Sequence, residues 1–260
     1  MSGKKISTMT VQDILEHPQD GIPGEATERE QFELPDTELK IETGGAVDSS
    51  GSNAGYSDPE HTITKVELVA QGLPHFVEAV EGDDSQAAGE VGTDRGGWRA
   101  FGFCHKGMIK FKPGEDESDD PRDFHDMNMR NVKEKVDRFR HLVSEQGLTY
   151  VEPALVAIDY VFKLEFPNDM DRAQVIVCTG DGEFSDPKEF DRFLSTAGPR
   201  KFISFAAIGY GDEHRAFVSH LKDISESNPY FTYANCTGYT DPYQFALSLR
   251  LLSGTAKLAA

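Results

Sequence analysis

From residue 132 onward the chain alternates helix-like and strand-like segments without interruption, and this alternation restricts the fold more than any other feature. Val132, Val136, Phe139, Leu142 and Val143 recur at helical spacing, and so do Leu155, Ile158, Val161 and Phe162 within residues 153–166. Residues 173–179 then form an apolar run, the pattern of a parallel strand covered on both faces. Phe190, Phe193 and Leu194 mark another helix. A strand at 201–208, a helix at 214–224, a short strand at 230–234 and a closing helix at 243–252 complete the series. No repeat of fixed period appears. Such alternation implies right-handed crossovers and an α/β, doubly wound, mostly parallel central sheet with helices on both faces. Ligands of such sheets sit at the carboxyl ends of the strands.

The first half is less regular. Residues 1–37 are polar, acidic and interrupted by Pro18, Pro23 and Pro35, which predicts a flexible acidic arm; Val11, Ile14 and Leu15 could make a short docking turn within it. A strand is expected at 38–47, although Gly44 and Gly45 offer nothing to pack, so it is expected to be weak for a central position and frayed or distorted. From Thr64 onward Val66, Val69, Leu73, Phe76, Val77 and Val80 follow helical spacing, with Pro74 predicted to kink or divide that helix, which makes a helix the element expected after the segment DSSGS. Residues 98–104 and 108–111 flank the turn HKG and read as a strand pair that supplies one antiparallel edge strand, with Trp98, Phe101 and Phe103 as strand core. Residues 113–126 are too charged to bury and lack the glycine-centred spacing of an EF-hand. The expected organisation is an arm over 1–37, one domain over 38–253 and a tail over 254–260.

Charge narrows the partners. The 260 residues carry 45 Asp and Glu against 26 Lys and Arg, a formal net charge of -19. Duplex nucleic acid and anionic membrane surfaces repel such a chain, which leaves proteins or small molecules. No run approaches the roughly 20 apolar residues of a membrane span, and the first ten residues lack the apolar stretch of a signal peptide. Cys104, Cys178 and Cys236 are odd in number, and the first two lie in apolar runs, so a reducing, cytoplasmic setting is expected.

Five oxygen-bearing residues in three separated segments stand out: Asp48, Ser50 and Ser52 in VDSSGSN, Thr149 in GLTYVEPAL, and Asp181 in VIVCTGDGE. Each segment is predicted at a strand end or in the adjoining loop. A hard cation such as Mg²⁺ takes near-octahedral oxygen coordination at about 2.0–2.1 Å. Two carboxylates would balance its charge, and neutral hydroxyls would add ligands while leaving it electrophilic. Mn²⁺ or Ca²⁺ satisfies the same ligand types. Read otherwise, the two aspartates cap helices or turns, and the serines belong to a Ser/Gly loop.

In order and interval these segments resemble a von Willebrand factor A domain, whose metal-ion-dependent adhesion site uses DxSxS, a threonine and a later aspartate. Asp48, Ser50 and Ser52 match the first element, Thr149 the second and Asp181 the third, over residues 38–253. Residues 202–225 resemble the late strand and helix of that family. More loosely they resemble the intracellular branch found in copines and in tellurite or toxic-cation resistance proteins. The family's Thr-Asp-Gly is here Gly180-Asp181-Gly182, which removes one hydroxyl beside the site. The resemblance implies a Mg²⁺-dependent protein-binding module, not an enzyme, in which a partner's Asp or Glu carboxylate completes the metal's coordination. Ser50 and Ser52 are implied as direct ligands, Asp48, Thr149 and Asp181 as direct or water-bridged ones, and Glu183 and Asp186 as the rim.

Other chemistries find less support. The eight histidines show neither HxxxH nor HExxH spacing, which argues against zinc. Ser50 lacks a G-x-S-x-G elbow, and Gly209 and Gly211 lack the third glycine of a dinucleotide fingerprint and read as a tight strand-to-helix turn. Two rivals remain: a hydrolase that uses the same cation to activate water, and a scaffold whose metal is structural or absent.

Overall fold

The computed structural model describes residues 40–86, 98–104, 107–110, 126–127, 130–143, 149–166 and 172–253. The arm over 1–37, the C-terminal tail and nearly all of the acidic segment 113–126 lie outside the described residues, as do the side chains of Trp98, Phe101, Phe103 and Cys104. The elements in chain order are β1 (Lys40–Asp48), a 3-10 turn (Gly51–Ala54), α1 (Lys65–Gln86), β2 (Trp98–Cys104), β3 (Gly107–Lys110), β4 (Asp126–Met127), α2 (Val132–Val143), α3 (Glu152–Glu165), β5 (Arg172–Gly180), α4 (Pro187–Leu194), β6 (Lys201–Gly209), α5 (Gly211–Ser227), β7 (Phe231–Thr237) and α6 (Pro242–Ser253).

One sheet runs in the order β3-β2-β1-β5-β6-β7. The β2-β1, β1-β5, β5-β6 and β6-β7 pairs are parallel, while β3 and the two-residue β4 each pair antiparallel with β2. All residues of β5 are buried, and their alternation divides the core into two layers. Ala173, Val175 and Val177 point into a cluster with Leu68, Phe76, Phe139 and Phe245, from α1, α2 and α6. Ile176 and Cys178 point into the opposite cluster with Leu155, Phe190, Phe205 and Leu221. The helices of that second layer are α3, α4 and α5. An apolar residue on either face of a strand can be stable only beneath such a double cover.

Strand β1 departs from expectation. It is neither frayed nor peripheral but paired along its length with β5, from Lys40↔Arg172 to Val47↔Thr179, and with β2 from Gly44↔Arg99 to Asp48↔Phe103. Eight register pairs to β5 and five to β2 hold a segment whose two glycines offer no side chain to pack. At its start Glu42 and Arg172, both buried, form an ion pair across β1 and β5.

Helix α1 also corrects the reading. It starts at Lys65, where the spacing from Thr64 onward places it, but it is not divided at Pro74 and runs through that residue as one helix. The intervening loop has its own fastenings: Ser57 Oγ donates to the Tyr239 carbonyl at 2.7 Å, and Asp58 Oδ2 accepts the Thr62 and Ile63 amides at 3.0 and 3.2 Å. Thr64 Oγ1 then accepts the Glu67 amide at 3.3 Å and caps the helix. Among the described residues no helix is long and apolar enough to cross a membrane.

Strand order fixes where a ligand can sit. After β1 the chain moves to one side of the sheet, to β2; after β5 it moves to the other, to β6. The β1/β5 carboxyl ends therefore form the switch point of the sheet, the crevice where doubly wound folds place their ligands.

Candidate functional site

Asp48 is the last residue of β1, and Asp181 follows the last residue of β5, so the switch point carries a carboxylate on each of its two strands. Both are buried, at 2% and 5% exposure. Their proximity shows at Gly180: a Cβ there would lie 2.9 Å from Asp48 Oδ2 and 3.0 Å from its Cβ. A residue with a Cβ cannot occupy this position without displacing the Asp48 side chain.

The hydrogen bonds divide the two carboxylates. Asp48 Oδ1 accepts the Ser50 amide at 2.9 Å, whereas Oδ2 is buried with no hydrogen-bond partner. Burial first, and the negative charge of Asp181 second, push the Asp48 carboxyl up to about 7 against the pull of its bonds from Ser50. Asp181 Oδ1 accepts the Glu183 amide at 3.1 Å, and its Oδ2 receives the ammonium of Lys65 at 2.7 Å. Ser50 and Ser52 lie with their hydroxyl oxygens 3.0 Å apart, Ser50 buried and Ser52 half-buried.

Thr149 enters from a third segment. Its amide donates to Ser185 Oγ at 3.0 Å, and its carbonyl accepts the Ser185 amide at 2.7 Å, so the threonine loop is tied to the loop that follows Asp181. Asp186 extends the clamp by accepting the Val151 and Glu152 amides at 3.1 and 2.9 Å, at the start of α3. Asp186 is thus a buried cap for a distant helix rather than a rim residue, while Glu183 is exposed. Asp186→Ala is expected to destabilise the fold by about 1–2 kcal/mol, the usual cost of a lost cap. Urea denaturation checks it, and an unchanged midpoint would contradict the clamp.

Two further residues complete the site. Lys65 stands at the first position of α1, where a cation opposes the helix dipole, so it needs a nearby anion; that conflict is the sequence signal for its role. His214 is buried, with Nε2 2.9 Å from Thr237 Oγ1 and Nδ1 unpartnered. Burial, then the charge of Lys65, press it down to about 4 against the opposing pull of Asp181, so the imidazole is neutral at pH 7. Around the same end of the sheet Tyr56 stacks on His61 at 4.4 Å between ring centroids, and the Tyr210 hydroxyl lies 3.4 Å from His61 Nε2. Both tyrosines are exposed.

The donor set suits a hard divalent ion. Asp48 Oδ2 is an orphaned buried acceptor, the two serine oxygens adjoin it in sequence and already meet each other, and every candidate ligand is oxygen. Among the described residues no three His, Cys, Asp or Glu side chains gather as a metal cluster, so coordination of an ion here would depend on the hydroxyls.

No family model and no curated protein matches the sequence. Solved structures do. The chain is similar to a von Willebrand factor type A protein from Catenulispora acidiphila, at 12% identity and a TM-score of 0.51, over 84% of this chain and 43% of that one. It is similar also to an aerotolerance-related membrane protein from Bacteroides fragilis carrying multiple mutations to serines, at 10% identity and a TM-score of 0.51, over 82% of this chain and 98% of that one. The fold is therefore α/β and of von Willebrand factor A type, and the chain spans less than half the length of the Catenulispora protein.

Proposed function

We propose that this chain is a Mg²⁺-dependent protein-binding module of the adhesion or scaffold kind. Asp48, Ser50, Ser52, Thr149 and Asp181 hold the cation, and an Asp or Glu carboxylate of a protein partner completes its coordination. One observation carries the reading: Asp48 Oδ2, buried and without a hydrogen-bond partner, beside a second buried carboxylate at the switch point. A buried acceptor left unpaired is costly, and a ligand that satisfies it recovers that cost. When bound, the cation supplies an electrophilic centre for an incoming carboxylate oxygen; Mn²⁺ or Ca²⁺ suits the same donors. Asp48 and Asp181 balance charge, Ser50, Ser52 and Thr149 contribute neutral oxygens, and Ser185 and Asp186 hold the threonine loop against the Asp181 loop. The exposed Tyr56 and Tyr210 give a partner aromatic surface at the rim.

We read the module as non-enzymatic, as the resemblance implies, with Asp48 and Asp181 serving as ligands rather than as bases. The free, buried thiols of Cys178 and Cys236 support a cytoplasmic setting. The copine and toxic-cation resistance branch rests on residues 202–225 alone. The Lys65–Asp181 pair favours a second reading, a scaffold that needs no metal.

Chelation separates the two. Metal at 100 times its dissociation constant is expected to add about 2.7 kcal/mol of stability to the wild type. Asp181→Ala is expected to lose most of that response. Thermal melts in Mg²⁺, Mn²⁺ and EDTA, with capture of partners from lysate under the same conditions, make the test; equal midpoints and EDTA-resistant capture would leave the scaffold reading standing.

A further inference from the structure

The Lys65 ammonium, 12% exposed, lies 2.7 Å from Asp181 Oδ2, one of the oxygens assigned to the cation. Its position is set by more than charge. The Lys65 amide donates to the Gly55 carbonyl at 2.8 Å, and the end of its side chain runs past Gly55, whose absent Cβ would lie 3.6 Å from Lys65 Cε. The loop between β1 and α1 thus delivers a tethered cation to the second carboxylate while leaving Asp48 Oδ2 unpaired.

Resting on the metal-binding reading above, we infer that Lys65 is a built-in competitor of the divalent cation: it closes the site by holding Asp181 Oδ2 and must withdraw before an ion can be bound. An ammonium and a divalent ion on one carboxylate repel each other strongly in a buried setting, so the two states exclude one another. Lys65 carries a four-carbon stem that can turn its head toward solvent, whereas Asp181 is held through its Oδ1 bond to Glu183. The site therefore exchanges one cation for another rather than filling an empty cage. Ion affinity is set by how firmly Lys65 is held as well as by the five oxygens.

The test uses the full chain and Mn²⁺ alone. Calorimetric titration is expected to show Lys65→Met binding Mn²⁺ on the order of 10–100-fold more tightly than wild type, the usual span of a coupling between two ligands. In wild type, acetylation of Lys65 by a small reagent, read by peptide mass spectrometry, is expected to quicken when Mn²⁺ is added. Equal or weaker binding by Lys65→Met overturns the inference alone, as does a Lys65 acetylation rate that ignores bound Mn²⁺. Binding by Lys65→Met but not by wild type supports the competition and overturns metal-dependent function in the natural chain. Silence from both overturns both. If Lys65→Met does not fold, the acetylation rate in wild type decides.

Discussion

Gly182→Ala is expected to destabilise the protein by about 2–5 kcal/mol, the sum of left-handed backbone strain and forced overpacking. Gly182 has φ +86, and a Cβ there would lie 2.2 Å from Phe217 Cδ1 and 2.3 Å from its Cγ. The ring has little freedom to retreat, because it meets Phe184 and Phe205 edge-on at 5.6 and 5.4 Å between centroids. The strain falls one residue after Asp181, so the substitution is also expected to weaken any ion response. Urea denaturation reads the first effect and Mn²⁺ titration the second. A loss below about 0.5 kcal/mol, the scatter of ordinary surface changes, would show that the aromatic cluster is softer than the geometry implies.

The second large effect concerns pH, measured in EDTA. Asp48 binds its proton more tightly folded, at about 7, than unfolded, at 3.8. Its contribution to stability is therefore complete below about 4 and is lost as pH rises through 7. His214 runs the other way: held down to about 4 from 6.5, it favours the fold above 6.5 and ceases to as pH falls through 4. The two windows overlap and each spans a few kcal/mol, so the wild-type profile is expected to be shallow between pH 4 and 7. Asp48→Asn should unmask a stability that climbs with pH, and His214→Gln one that declines. Parallel profiles for all three proteins would show that the opposed burial of these groups does not govern stability.

The particular residues explain what was legible beforehand. Strand β5 was plain because every residue is buried and its covering helices announce themselves by period. Strand β1 was not, because Gly44 and Gly45 carry no side-chain signal and the strand is held by ladders to β2 and β5, contacts made far along the chain. The placement of Asp48 and Asp181 at strand ends is legible because each directly follows or closes a strand-like run. The role of Lys65 is not, since its partner lies 116 residues away, although its place at the start of a helix is a clue. Asp186 reads as rim because a carboxylate near a site is ordinarily solvent-facing; its amide partners, at the start of α3, lie 34 and 35 residues back. The start of α1 is legible because its spacing and its Thr64 cap are local, whereas the loop before it is fastened by Ser57 to Tyr239, a contact 182 residues long.

The pairing of β1 with β5 has a mechanical consequence. If the proposed site holds a partner, a pull on Asp48 and Asp181 would load two neighbouring parallel strands from the same end, and eight register pairs, from Lys40↔Arg172 to Val47↔Thr179, would keep those two strands together. Neither is an edge strand, so the load would pass as shear to their outer ladders, β1 with β2 and β5 with β6, and no free margin is offered from which they could be peeled one bond at a time. An attachment made there would be expected to give way under load before the sheet beneath it does.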